Sequence, residues 1–310
     1  VSLEIPSIDI ASLSGGDAAS RAACAQLIRQ ASIDVGFFYV IGHGLNPHRM
    51  AEVIAAAKRF FAQPLAEKMA FALSAENGFR GYFPLEGEIT DPAIGADPKE
   101  GFDVSGLHPP SAPQLWPANP PELRAVLSDY YDSMCALGRM VSRGFALALD
   151  LPEDFFADKL DQPTAILRIL HYPPIAPSSV PGALPPTGCG AHSDYGYLTI
   201  LAQDEQGGLQ VQTRAGAWID VPPRPNSFVC NIGEMMEMWT DGLFRATPHR
   251  VIRRAPASRY SVPFFFHPNP NAVIGHLPGA APSARAPITS GDYLLSRQSG
   301  AYTKTPVPTT

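Results

Sequence analysis

His192, Ser193 and Asp194 form a His-x-Asp triplet just after a Gly/Pro-rich stretch and just before an apolar run at 197–203. In extended chain, side chains two apart leave the same face, so this imidazole and carboxylate can reach one point. A second imidazole, His249 in Thr247-Pro-His-Arg-Val251, opens another strand-like run. Two His and one carboxylate on one side of a metal leave the opposite positions open, the ligand set with which proteins hold non-haem Fe(II). A His-x-Asp pair alone is a weak signal. Beyond His249, however, Arg259-Tyr260-Ser261 sets a guanidinium fork and a hydroxyl on one strand face. That pair suits a carboxylate bound through charge-assisted hydrogen bonds. Taken singly, Arg259 reads as half of a structural ion pair and Ser261 as a strand-edge hydroxyl.

These residues need strands to carry them. After Thr164 the sequence changes to short strand-like runs separated by turn residues, at 165–172, 197–203, 209–213, 227–232, 249–254 and 260–267. Such spacing predicts an antiparallel barrel or jelly roll. Ahead of it, residues 1–10 alternate in part, 17–32 and 47–61 have helical spacing, and 35–41 reads as a buried strand. The longest helical pattern runs over 121–149, opening with Pro-Glu, and a short helix is expected at 153–160. Residues 65–120 are irregular and rich in Gly, Pro and acidic side chains, which predicts a loop region over a site rather than core. A last helix is expected at 290–299.

Composition removes other classes. The formal charge is −6 with no basic run anywhere, which argues against a nucleic-acid partner, whose binding rests on Lys and Arg at phosphates. The longest apolar stretches, such as Val262 to Phe266, fall far short of the roughly 18 to 20 residues of a membrane span. Hydrophobic residues make up 45% of the chain, enough to exclude wholesale disorder. Cys24, Cys135, Cys189 and Cys230 lie far apart without a CxxC pair, and no basic-then-apolar signal stretch opens the sequence. A cytoplasmic protein with reduced thiols is expected.

Taken together, these residues resemble the isopenicillin N synthase-like branch of the 2-oxoglutarate/Fe(II)-dependent oxygenases. The resemblance rests on the His-x-Asp and His249 set, the Arg-x-Ser pair, Val35-Gly-Phe-Phe-Tyr-Val-Ile-Gly-His-Gly44, Asp97-Pro-Lys-Glu-Gly-Phe-Asp103, Leu167-Arg-Ile-Leu-His-Tyr-Pro-Pro174 and Gly207-Gly-Leu-Gln-Val211. It covers nearly the whole chain in the family's order. It implies a mainly β fold with flanking helices around a distorted double-stranded β-helix (jelly-roll) core. A single domain over 1–310 would comprise a helical N-terminal part with an irregular lid region (1–164), the core (165–288) and a C-terminal helix and tail (289–310).

The resemblance implies that His192, Asp194 and His249 hold Fe(II) as the catalytic metal. Arg259 and Ser261 would hold the distal carboxylate of 2-oxoglutarate, and Tyr172 matches a family tyrosine that helps bind it. The implied activity consumes 2-oxoglutarate and dioxygen and oxidises a C–H bond of a small organic substrate by hydroxylation, desaturation or ring formation, in specialised metabolism. Two positions depart from the family. Leu170 stands where many plant relatives carry Asn, and Glu234 follows Gly233 where the family commonly shows Gly-Asp. An intact Asp194 argues against the halogenating variant.

Three alternatives use the same metal ligands. Isopenicillin N synthase keeps the Arg-x-Ser pair without using a keto acid. A zinc hydrolase or a non-catalytic, cupin-like metal-binding protein lacks a general base at a fixed offset and leaves Arg259 and Ser261 unexplained. For the substrate, the places to look are Arg80, Tyr82, Phe83, Asp103, Asn231, Phe266 and the 293–302 segment, a mixture suited to a medium-sized, partly apolar molecule. His43 reads as a structural hydrogen-bonding group, His171 as facing away from Tyr172, and His267 as packing or rim. Cys189 and Cys230 read as small buried hydrophobes, with Cys189 open to oxidative damage beside the clamp.

Overall fold

The computed structural model describes residues 4–74, 76–104, 114–175, 186–253, 256–279 and 285–302. The N-terminal part holds β1 (Ser7–Asp9), α1 (Ser12–Gly15), α2 (Ala18–Asp34), β2 (Phe37–Ile41), α3 (His48–Phe61), α4 (Leu65–Met69), β3 (Gly81–Phe83), β4 (Glu100–Val104) and α5 (Leu123–Ala148). A 3-10 turn at Ala157–Lys159 leads into β5 (Thr164–Tyr172), β6 (Thr187–His192), β7 (Leu198–Gln203), β8 (Leu209–Gln212), β9 (Trp218–Asp220) and β10 (Phe228–Ile232). Then come α6 (Glu234–Trp239), β11 (His249–Ile252), β12 (Arg259–His267), β13 (Val273–Ile274), β14 (Ile288–Thr289) and α7 (Ser290–Tyr302).

Two sheets form the core. The larger has the order β1-β2-β10-β7-β12-β5-β4-β3 and the smaller β6-β11-β8-β9. Apart from the parallel β1–β2 pair, their ladders are antiparallel. At one end the inner faces pack directly on each other, with Phe37, Tyr39 and Val229 of the large sheet against Leu209, Val211 and Val221 on the other side. Elsewhere they separate to leave a chamber of about 640 Å³. This is the jelly-roll arrangement expected.

Helices cover the outer face of the large sheet. Asp17 caps α2 by accepting the Ser20 N–H at 2.8 Å. Residues at helical spacing on α5, including Tyr130, Met134, Leu137, Val141 and Phe145, are buried against the sheet together with Phe60 of α3 and Phe264 and Phe266 of β12. The chain thereby buries one sheet face under helices and keeps the other for the chamber.

The structure corrects the reading of 65–120. Its described residues include α4 and two strands that extend the large sheet beyond β5, and Tyr82, Phe83 and Phe102 are core. The strands escape notice because β4 is buried on both faces and carries Glu100 and Asp103 as buried halves of ion pairs, so apolar and polar residues do not alternate along it. Lys68 Nζ meets Glu100 Oε2 at 2.7 Å, and Arg168 grips Asp103. The strands β6, β9 and β13–β14 and the short helices α1 and α6 are also additions to the sequence reading. The first strand is only Ser7–Asp9, the 153–160 helix shrinks to a 3-10 turn, and Arg254 and 303–310 lie outside the described residues.

Candidate metal centre and its chamber

His192 ends β6 and His249 begins β11, and the two strands pair so that these residues are register partners. Their ring centroids lie 4.3 Å apart. Asp194 follows β6, and its Oδ1 is 3.6 Å from His192 Nε2 and 3.7 Å from His249 Nε2. One ligand atom from each residue falls within 4.8 Å of the others. The opposite atoms are engaged elsewhere. His192 Nδ1 lies 2.9 Å from Gly190 O and His249 Nδ1 3.2 Å from Thr247 O, so a proton on Nδ1 leaves the Nε2 lone pair facing the centre. Asp194 Oδ2 accepts from Thr199 Oγ1 at 2.6 Å and Asn231 Nδ2 at 2.7 Å, leaving Oδ1 for a cation.

Close backbone approach holds Asp194 in place. A side chain on Gly233 would lie 2.1 Å from Gly196 O, and one on Gly196 would strike the His267 ring. With glycine at both positions, the start of α6 packs directly on the turn after Asp194, where Glu234 N–H donates to Asp194 O at 2.8 Å and Met235 N–H to Gly196 O at 3.0 Å. Burial pushes the Asp194 carboxyl up, but His249, His192 and the two hydrogen bonds outweigh it and hold the group below its usual range. Burial, reinforced by the charge on His192, holds His249 down to about 4. At His192 burial also pulls down, but Cys189, Asp194 and the Gly190 carbonyl outweigh it and raise the ring to about 9, so a metal takes its Nε2 by displacing a proton. The donor set is therefore two nitrogens and one anionic oxygen aimed at one point. It fits a divalent transition metal that retains open positions.

Beside this point lies a cationic subsite. Arg259 is 2% exposed. Its Nε donates to Gly207 O at 2.7 Å and its Nη1 to Ser261 Oγ at 3.0 Å, while the guanidinium lies over the Tyr172 ring at 4.9 Å. Arg259 and Tyr172 are register partners, as are Ser261 and Leu170, and all four line the chamber. The apolar Leu170 thus stands where an amide would add a polar contact. A fixed guanidinium edge in a buried wall fits a carboxylate.

The remaining wall carries charge. Arg168 donates from Nε and Nη2 to the two Asp103 oxygens, each at 2.7 Å, and its Nη1 lies 2.9 Å from Glu88 Oε1. Lys99 Nζ sits 2.7 Å from Asp97 Oδ2, 3.3 Å from Cys189 Sγ and 3.4 Å from Glu88 Oε2. Burial pushes the Glu88 carboxyl up, but Arg168 and Lys99 outweigh it and keep the group below its usual range.

Of the substrate residues expected from the sequence, the structure brings only Asn231 and part of the C-terminal helix to the chamber, through Ser296 and Arg297. Asn231 holds the Asp194 carboxylate. Arg80, Tyr82, Phe83, Asp103 and Phe266 do not line it. Tyr82 turns its hydroxyl to Glu100 Oε2 at 2.6 Å on the helix side, and Arg80 is buried outside the chamber. Phe83 supports the wall from behind, 4.8 Å from the Arg168 guanidinium, and Asp103 binds the same arginine from the rear. Phe266 packs on α5, and Phe265 lines the chamber instead. His267 also lines it and accepts the Tyr197 N–H at Nδ1. His171 faces away, 2.8 Å from Glu100 Oε1, and His43 lies on a distant turn. Sequence reasoning missed Glu88, Lys99, Arg168 and Thr199. Arg168 was within reach, since it alternates with Leu170 and Tyr172 on β5.

Comparison with known proteins settles the class. The profile of the 2OG-Fe(II) oxygenase superfamily matches residues 163–268, and the profile described as non-haem dioxygenase in morphine synthesis N-terminal matches 5–123. The 2-oxoglutarate-Fe(II) type oxidoreductase hxnY of Emericella nidulans is 35% identical, over 96% of this chain and 89% of the relative. The chain belongs to the 2OG-Fe(II) oxygenase superfamily. Another member, homoarginine-6-hydroxylase 2-ODD-233 of Oryza sativa subsp. japonica, is 34% identical over 80% of this chain and 79% of its own. Among solved structures, a full-length Neurospora crassa protein in complex with alpha-KG and thymine superposes with a TM-score of 0.85 at 29% identity, covering 96% of each chain. The protein is an Fe(II)- and 2-oxoglutarate-dependent oxidoreductase, and this class replaces the zinc-hydrolase and cupin-like alternatives. Among the described residues, no helix is long and apolar enough to cross a membrane.

Proposed function

We propose that His192, Asp194 and His249 hold the ferrous ion and that Arg259, Ser261 and Tyr172 hold the distal carboxylate of 2-oxoglutarate. In this reading the protein is a dioxygenase of the isopenicillin N synthase-like branch, folded as one unit over 1–310, and oxidises a C–H bond of a small organic molecule. The observation that carries it is the convergence of two Nε2 atoms and Asp194 Oδ1 while every opposite atom is already hydrogen-bonded. Bound iron and 2-oxoglutarate supply decarboxylation to succinate and carbon dioxide coupled to oxidation of the substrate.

The chain's own tasks are positional. Gly190 and Thr247 carbonyls fix the imidazole tautomers, and Thr199 and Asn231 fix which carboxylate oxygen faces the metal. Arg259 and Ser261 anchor one end of the keto acid, with Leu170 and Tyr172 as a water-excluding wall beside it. Relatives and neighbours handle unlike compounds, homoarginine by name in the rice enzyme and thymine in the Neurospora structure, and support only a small-molecule substrate here.

The test is anaerobic addition of Fe(II) and 2-oxoglutarate to the metal-free protein. A visible metal-to-ligand charge-transfer band at one equivalent of each is expected. Iron binding without a band on adding the keto acid would refute the assignment.

A further inference from the structure

The charged groups of the chamber are arranged unequally. Among the described residues, the cations on its wall outside the Arg259 subsite are Lys99, Arg168 and Arg297. Each has its own carboxylate set behind the wall: Asp97 at 2.7 Å, Asp103 at 2.7 Å and Glu234 at 2.6 Å, respectively. None of those three carboxylates lines the chamber. Glu88 does. Apart from the metal-facing Asp194, it is the only carboxylate on the wall among the described residues.

The surplus has a direction. Glu88 Oε1 takes one contact from Arg168 Nη1, and Oε2 lies 3.2 Å from the same nitrogen and 3.4 Å from Lys99. Those cations are already committed to Asp103 and Asp97. They keep Glu88 ionised and fixed without neutralising the cluster, which among the described residues sets three carboxylates against two cations. Around it the wall is apolar, with Ile89 and Pro92 on the same loop and Ile166 and Phe265 on β5 and β12. A carboxylate presented in such a frame selects for a cationic nitrogen carried on a hydrocarbon skeleton, because a second anion would meet an uncompensated charge.

We propose that Glu88 is a specificity-determining residue that binds an ammonium, amidinium or guanidinium group of the substrate, so that the primary substrate is a basic small molecule. This rests on the oxygenase assignment above. A role confined to pinning the loop would leave substrate choice independent of the Glu88 charge.

The test measures succinate release by the full chain with Fe(II), 2-oxoglutarate and dioxygen. The probes are the basic compounds L-arginine, L-homoarginine, L-lysine and agmatine, the neutral L-citrulline, L-norleucine and thymine, and the acidic L-glutamate. At least one basic probe is expected to raise release about tenfold above its neutral counterpart. Glu88→Gln should raise the KM for that probe about 10- to 100-fold, whereas Glu88→Asp keeps the preference for a cation. Silence of every basic probe, stronger stimulation by neutral or acidic probes, or an unchanged preference in Glu88→Gln would overturn the proposal. The wild-type panel decides alone if Glu88→Gln does not fold. The anaerobic charge-transfer band separates the two levels: a band without stimulation by basic probes sinks only the substrate class, and a missing band sinks the site assignment together with it.

Discussion

Asn231 Nδ2 donates to Asp194 Oδ2 at 2.7 Å across the chamber from β10 of the large sheet, and this bond, with that of Thr199, determines which carboxylate oxygen is left for the metal. Asn231→Ala should therefore weaken iron binding, by about 10- to 100-fold as for other groups that orient a metal ligand. Fe(II) titration of the metal-free protein measures it. If only the KM for the organic substrate moves, Asn231 is a substrate contact after all.

Replacing His192 or Asp194 with Ala should remove iron-dependent succinate formation and leave a folded protein. Neither side chain belongs to the helix-side core, so truncating either leaves the packing between the large sheet and the helices intact. Circular dichroism and a turnover assay on the same preparation check both halves. Activity equal to the parent would take the residue out of the metal shell.

Much of this site is legible in the sequence because strands alternate. His192 with Asp194 and Arg259 with Ser261 are i, i+2 pairs, and both prove to face one chamber. The same counting reaches further along β12. Stepping by two from Ser261 gives Pro263 and Phe265, which line the chamber, and places Phe266 on the helix face. Three consecutive phenylalanines conceal that parity, since all are equally apolar. Glu88 and Lys99 could not be read this way, because they sit on a loop brought to the wall by ion pairs rather than by a repeating pattern.

The placement of Phe266 can be tested through its neighbour on α5. A Cβ at Gly138 would lie 2.7 Å from Phe266 Cδ1, so the helix and β12 approach only because glycine stands there. Gly138→Ala should destabilise by about 1–3 kcal/mol as an overpacked core position, despite alanine's better helix propensity. Thermal melting of the metal-free chain checks it. A rise in Tm would mean that the contact relaxes at no cost.

His267 carries a pH dependence. It is 2% exposed, and burial holds it down to about 4, with the Asp194 charge pulling the other way. The unfolded chain protonates near 6.5. The stabilisation from keeping this ring neutral is therefore complete above pH about 6.5 and is lost as pH falls toward 4, up to about 3 kcal/mol. Melting temperature against pH for the metal-free protein should fall less steeply over that window in His267→Asn, whose side-chain oxygen can still accept the Tyr197 N–H. Parallel curves would assign the slope to other groups.

Arg259→Leu separates the two cofactor subsites. The guanidinium is tied to Gly207 O and Ser261 Oγ and stacked over Tyr172, while the three metal-facing atoms are held by a different set of partners. Losing the fork should raise the 2-oxoglutarate concentration needed for half-saturation by about a hundredfold, with the iron requirement changed far less. Arg259→Lys should fall between, since a point charge restores attraction but not two parallel hydrogen bonds. Equal shifts in the iron and keto-acid requirements would show that Arg259 supports the whole chamber rather than one carboxylate.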